Sequence, residues 1–320
     1  MEKNILVLGG SGFVGTHVCE KLVERNRGGD GSIVVPTRLR AHARHIQLLP
    51  TLQVEQADVH DAAQLRRLLR GCDAVVNLVA VLHGSERDFD RVHVQLPRTL
   101  AQACREAGVR RIVHVSALGA SADAPSKYLR SKAAGEQVLR EQRDLDVTIL
   151  RPSVIFGAED RFLNLFAGLQ RRLPLVPLAA ADARFQPVWV EDVARAIVRC
   201  LDEPASIGQV YELAGPQVYT LRELVRCAGL WAGHPRPVVG LPHALAWLQA
   251  LAMEWLPGRT LMSRDNLASM RVPNVASGRL PGLEALGITP VGPAGVAPGY
   301  LGHAQGKARL NLFRAAARRL

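Results

Sequence analysis

Short apolar runs alternate with amphipathic stretches through the first half of the chain. Runs at Ile5–Leu8, Ile33–Val35, Leu52–Gln56, Ala74–Val79, Arg111–Val115 and Val147–Leu150 have the length of strands. Their cores are near-continuous in apolar residues, as strands covered on both faces require. Between them, Thr16–Val23, Ala62–Leu69, Val92–Ala107 and Lys127–Gln142 carry apolar residues at helical spacing. This alternation predicts an α/β architecture, a doubly wound parallel sheet with right-handed crossovers.

After Gly157 the rhythm breaks. Asp160–Arg172 reads as a helix, Pro174 and Pro177 as a loop, Phe185–Val190 as a strand returning to the sheet, and Val193–Leu201 as a helix. Thr220-Leu-Arg-Glu223 is a capping box opening another helix. Leu241–Leu256 repeats Leu241, Leu245, Leu248, Leu251 and Trp255 at helical spacing, a stripe widened by Trp247.

A chain of 320 residues has ample length for a core, and 48% apolar with 22% charged residues is ordinary for a globular protein. No window reaches the ~20 apolar residues of a spanning helix, so a soluble, cytoplasmic chain is expected. Five widely spaced cysteines without a C-x-x-C pair read as reduced thiols, and the ten histidines show no ligand spacing beyond His42-x-x-His45. No metal site is expected. The net charge of +11 is uneven: from residue 257 to the end, nine Lys or Arg face only Asp265 and Glu284. With no recognition motif and 5% aromatics, nucleic acid is not expected as a partner. Most apolar stripes like Leu241–Leu256 are core, with a solvated tail; a basic tail beside this one also fits peripheral attachment to an anionic membrane surface, on its inner face.

The densest chemical signal is Gly9-x-x-Gly12-x-x-Gly15, which follows the first strand and opens the first helix. Such a turn aims backbone N–H groups and the positive end of a helix at one point, where a pyrophosphate binds. Ser11, Phe13 and Val14 complete that turn. Downstream stand Asp58-Val59, Asn77-Leu78-Val79-Ala80, Tyr128-x-x-x-Lys132, Arg151-Pro152-Ser153-Val154-Ile-Phe-Gly157 and Val190-Glu-Asp-Val193. In this order they resemble the short-chain dehydrogenase/reductase superfamily in its extended form, over about residues 4 to 230.

The resemblance implies a Rossmann nucleotide domain in residues 1–157, with 185–204 returning to it. Residues 158–320 would then form mainly a smaller, interleaved substrate lobe and the basic tail. It implies that Asp58 and Val59 read adenine, that Leu78, Val79 and Ala80 lie beneath the cofactor, and that Val115, Pro152, Ser153 and Val154 line it. Tyr128 and Lys132, four apart on one helical face, would be the acid/base and its electrostatic partner, with Lys132 also holding ribose. Ser116 is the candidate third hydroxyl, although it stands only twelve residues before Tyr128 and is followed by Ala117 and Leu118. His93 occupies the place of an asparagine that steadies the lysine through water. Ser116-Ala-Leu-Gly119, Tyr128–Glu136 and Phe156–Asn164 are similar to one group, that of the dehydrogenase-like accessory subunit of respiratory complex I and its bacterial relatives.

At the end of the second strand, Thr37-Arg38 stands where NAD-selective sites place an acid. A guanidinium there suits a 2′-phosphate, so NADP(H) is favoured over NAD(H). Three functions remain open at this point. One is an NADP(H)-dependent oxidoreductase on a lipid-like or quinone-related carbonyl or alcohol. Another is a non-catalytic NADP(H)-binding accessory or assembly subunit of a respiratory or quinone-biosynthesis complex. The third is a nucleotide-sugar epimerase or dehydratase.

Overall fold

The computed structural model describes residues 3–26, 29, 31–255 and 262–302. Seven parallel strands form the central sheet: β1 (Ile5–Leu8), β2 (Ile33–Thr37), β3 (Leu52–Gln56), β4 (Ala74–Asn77), β5 (Arg111–Val115), β6 (Asp146–Pro152) and a last strand, Val210–Leu213. Their spatial order runs from Val210–Leu213 through β6, β5, β4, β1 and β2 to β3. The order reverses between β1 and β4, so the carboxyl ends of those strands open a crevice where ligands bind in such sheets. The sheet is flanked by α1 (Phe13–Asn26), α2 (Ala62–Leu69), α3 (Glu86–Asp90), α4 (Leu96–Ala107) and α5 (Lys127–Arg140). The fold is the expected doubly wound one.

Chain contacts separate two units. The first comprises Met1–Pro152, Val190–Leu213 and Ser277–Thr289; the second comprises Ser153–Trp189, Ala214–Ala276 and Pro290–Leu320. The first unit buries Leu6, Leu8, Val75, Ile112, Val147 and Ile149 in one core with Leu65 and Leu69 of α2 and Leu100 of α4. The second has its own core, built around Phe156, Leu163, Leu221, Leu224, Val225 and Leu301.

Several elements differ from the sequence reading. α1 begins at Phe13 rather than Thr16, so Phe13, Val14 and Gly15 form its first turn. Phe185–Val190 does not join the central sheet. Pro187 has no N–H to donate, and the segment splits into Arg184–Phe185, paired with Tyr219–Thr220, and Val188–Trp189, paired with Ile155–Phe156. The seventh strand is Val210–Leu213, whose Glu212 interrupts the apolar pattern; its carboxylate accepts from Ser277 N at 2.6 Å. The segment before α4 is a π-turn, Arg91–Gln95. The helix over the apolar stripe spans His243–Trp255, but it buries Ala246 and Ala250 while Leu245, Leu248 and Trp255 are exposed. Among the described residues, no helix is long and apolar enough to cross a membrane. The basic tail, Lys307–Leu320, lies outside the described residues.

Candidate functional site

The glycine turn is shaped by the protein's own packing at two of its three family positions. Gly9 has φ +81, in the left-handed region that favours glycine, and a Cβ there would meet Leu78 at 3.3 Å. At Gly15 a Cβ would collide with the Gly9 carbonyl oxygen and lie 2.6 Å from the Gly10 Cα, where α1 crosses the strand exit. Gly12 differs, because a Cβ there would meet only the Gly9 oxygen, at 3.2 Å. The space in front of Gly12 is therefore open, and the first-turn amides of α1, at Phe13, Val14 and Gly15, have no acceptor within the helix. Ser11 belongs to this turn. An anionic group fits such a cradle.

Parallel register gathers the other strand ends on the same edge. Leu78 N donates to Leu8 O at 3.0 Å, and Ala57 N to Thr37 O at 3.0 Å. Thr37 is buried, with its hydroxyl on Leu39 O at 3.0 Å, while Arg38 is exposed. Asp58 starts the turn after β3: its carboxylate accepts from His60 N at 3.0 Å, and its own N–H donates to Gln64 Oε1. Val59 and Val79 are half-buried, and Ala80 is exposed. Burial, with the charges of Arg91 and Arg38, holds His60 below its ordinary pKa. Asp58, His60 and Arg91 also line a groove of about 590 Å³ between α2 and α4.

At the end of β4, Asn77 and His114 are directly opposed across the strand pair. Asn77 Oδ1 accepts from Val79 N at 3.2 Å, which leaves Nδ2 to donate to His114 Nδ1 at 3.1 Å. His114 is thus neutral, and burial, then the charge of Lys132, holds its pKa well below the usual imidazole range. Neither residue figured among the candidates. Two polar side chains closing adjacent apolar strands were the signal for them.

The reactive pair sits on α5, capped by Ser126. Lys132 is 2% exposed, and among the described residues its Nζ makes one hydrogen bond, 2.7 Å to Val115 O. Burial brings its pKa down to about 8, against the opposing charge of Glu136. Glu136 is itself buried and bonded to Arg151 Nε at 2.9 Å. Tyr128 packs edge-on against Phe89 and His93, and burial pushes its phenol up to about 12. Ser116, the residue after Val115, is 4% exposed, and its hydroxyl has no partner among the described residues. His93 does not carry the asparagine-like link to the lysine: its Nε2 is bonded to Val81 N at 3.1 Å and its Nδ1 to Ser131 Oγ at 2.8 Å.

The structure brings most of the candidates together on the first unit, from Gly9 to Pro152. Ser153 and Val154 belong to the second. There Asn274 holds both: its Oδ1 accepts from Ser153 Oγ at 2.7 Å and Val154 N at 2.8 Å. The second unit also contains a cavity of about 460 Å³ lined by Leu241, Ala246, Leu267 and Met270 together with Arg222 and Arg271. His17, Glu20 and Glu191 cluster on the first unit, but Lys21 Nζ lies 3.1 Å from Glu191, so a cation is already supplied. All five cysteines are free thiols.

Residues 5–214 match the family model described as NAD dependent epimerase/dehydratase family. Over 295 residues the chain is 35% identical to NADH dehydrogenase (ubiquinone) 1 alpha subcomplex subunit 9, mitochondrial, of Mus musculus, covering 89% of this chain and 76% of that one. It is 28% identical over 309 residues to sterol demethylase protein B of Methylococcus capsulatus, covering 84% and 88%. Its fold superposes with a TM-score of 0.73 on an NADPH-dependent quinone oxidoreductase of Escherichia coli solved with NADPH, at 23% identity, covering 91% and 97%.

Proposed function

The chain belongs to the NAD dependent epimerase/dehydratase family, and on that premise we propose that it is an NADP(H)-dependent oxidoreductase acting on a lipid-like or quinone-related carbonyl or alcohol. The observation that carries this reading is the polar pair at the end of β5. Among the described residues, Ser116 Oγ is buried without a partner, and Lys132 Nζ, one residue away through Val115 O, retains two N–H groups beyond its single bond. Buried polar groups left short of partners are costly unless a ligand completes them. Ribose hydroxyls would take the lysine donors, and a substrate oxygen would take the serine.

The glycine turn and the first amides of α1 would hold the pyrophosphate, Asp58 and Val59 the adenine, and Arg38 with Thr37 the 2′-phosphate. A nicotinamide held there would supply or accept the hydride. Tyr128 would donate or accept the proton at its phenol oxygen, and burial, which pushes that phenol up to about 12, favours its protonated, donating form.

A second reading is a non-catalytic NADP(H)-binding accessory or assembly subunit of a respiratory or quinone-biosynthesis complex. The likeness to the mouse subunit over 89% of the chain supports it. So does the exposed apolar face of His243–Trp255 in a chain whose C-terminal sequence is basic, a combination that fits a protein partner or an anionic membrane on its cytoplasmic side. Complementation of a deletion strain separates the two, with expression levels checked. Loss of rescue by Tyr128→Phe with NADPH binding intact is the expected result for the enzyme. Full rescue by Tyr128→Phe but none by Gly12→Val would leave nucleotide binding as the function.

A further inference from the structure

We propose that His93 is a positioning residue that ties the loop after β4 to the helix carrying Tyr128, through a neutral imidazole with both nitrogens committed. The proposal rests on the functional reading above, in which Tyr128 is the acid/base, and on the resemblance that puts Leu78–Ala80 beneath the cofactor.

The direction of every hydrogen bond in the chain is determined by chemistry. Val81 N–H can only donate, so His93 Nε2 accepts, at 3.1 Å. The Tyr128 carbonyl can only accept, so Ser131 Oγ spends its hydrogen there, at 2.7 Å. Ser131 Oγ must then accept from His93 Nδ1–H, at 2.8 Å. One tautomer satisfies all three bonds, and it carries no charge. Burial, reinforced by the charge of Lys132, holds this imidazole down to about 3, so it stays neutral at working pH. The titratable groups around it are Tyr128 and Lys132 on α5 and His114 on β5.

The local fold is built to admit this ring. His93 sits on the π-turn Arg91–Gln95, a widened turn of a kind frequent at functional sites. It is 2% exposed, stacked on Phe89 with centroids 5.7 Å apart, and edge-on to Tyr128 at 5.6 Å. A Cβ at Gly135 would be driven into the His93 carbonyl oxygen, so glycine is what lets α5 close on the π-turn. The segment that would lie under the cofactor and the phenol that would move the proton are thus joined by one side chain.

The test uses the full chain, with NADPH binding followed by fluorescence and Val81 followed by amide exchange. His93→Leu keeps bulk but makes neither bond; His93→Gln offers one acceptor and one donor at similar spacing. We expect His93→Leu to bind NADPH about tenfold more weakly and to speed exchange at Val81. His93→Gln should restore both, and thermal unfolding identifies any variant that fails to fold. From about pH 5 to 8, the binding profiles of the unsubstituted protein and His93→Gln should superimpose. An inflection lost in His93→Gln would show that His93 titrates and would overturn the proposal. Unchanged binding and exchange in His93→Leu would overturn it too. If the unsubstituted protein takes no NADPH, the nucleotide reading itself falls; if it binds and the His93→Leu loss is absent, only the positioning role falls.

Discussion

Lys132 donates from α5 to the carbonyl oxygen of Val115, the last residue of β5, at 2.7 Å. This bond joins the helix that carries the phenol to the strand whose next residue is Ser116. It also holds an ammonium out of water with a single acceptor among the described residues, and that arrangement has a measurable consequence.

Folding lowers the Lys132 pKa from 10.5 to about 8, chiefly by burial. Between those values the unfolded chain holds the proton that the folded one has released, so stability rises with pH in that window. Below about pH 8 the full penalty applies, about 3 kcal/mol. Tyr128 acts oppositely, but only above pH 10, where the unfolded phenol ionises first. Urea unfolding of the unsubstituted protein and Lys132→Met should therefore diverge with pH. From about pH 7.5 to 9.5 the difference should move by about 2 kcal/mol in favour of the unsubstituted protein. A difference independent of pH would mean that folding does not lower the Lys132 pKa.

Gly12 and Gly15 should respond differently to side chains. Gly15→Ala pushes a methyl into the Gly9 carbonyl, so the expected result is a lower unfolding midpoint. Gly12→Val faces open space beyond the Gly9 oxygen, so the variant should fold and yet bind no dinucleotide. Circular dichroism with NADPH titration distinguishes them. Retained affinity in folded Gly12→Val would remove that glycine from the nucleotide site.

Arg38 is exposed and free to meet a ligand phosphate. Arg38→Asp should exchange NADPH preference for NADH, with NADPH weakened by roughly ten- to a hundredfold, the worth of ~1.5–3 kcal/mol for a charge-assisted bond. Parallel titration of both nucleotides, at fixed salt, checks it. Equal ratios in the two proteins would mean that Arg38 does not read the ribose.

Asn274 holds the Ser153–Val154 segment within the second unit by two side-chain acceptor bonds. Asn274→Leu should cost about 1–3 kcal/mol, since Val154 N–H loses its acceptor while Ser153 O–H keeps only the Asn274 backbone carbonyl, at 3.1 Å. Asn274→Asp keeps an acceptor for both and should recover most of that stability near neutral pH. Denaturant titration of the three proteins gives the values directly, and equal stability of Leu and Asn forms would contradict the role.

The parallel sheet, the glycine turn and the Tyr128–Lys132 face were legible in the linear chain because each depends on local periodicity. A strand needs a few apolar residues in succession, a helix brings residues four apart together, and a glycine turn is read within seven positions. Where an element's partner lies far along the chain, that logic stops. Val210–Leu213 is a strand because β6 offers a free edge and Ser277 satisfies Glu212 across 65 residues. Phe185–Val190 is broken by Pro187 and captured by partners from Ile155 to Thr220. The leucines of His243–Trp255 repeat like a core stripe, but only packing decided that Ala246 and Ala250 turn inward. His93 carries the same lesson for the site. Its residue type was visible, but its role depends on a π-turn, on Gly135 and on hydrogen bonds to Val81 and Ser131. Hydrogen-bond partners are chosen by three-dimensional proximity, and that is a property of the folded chain alone.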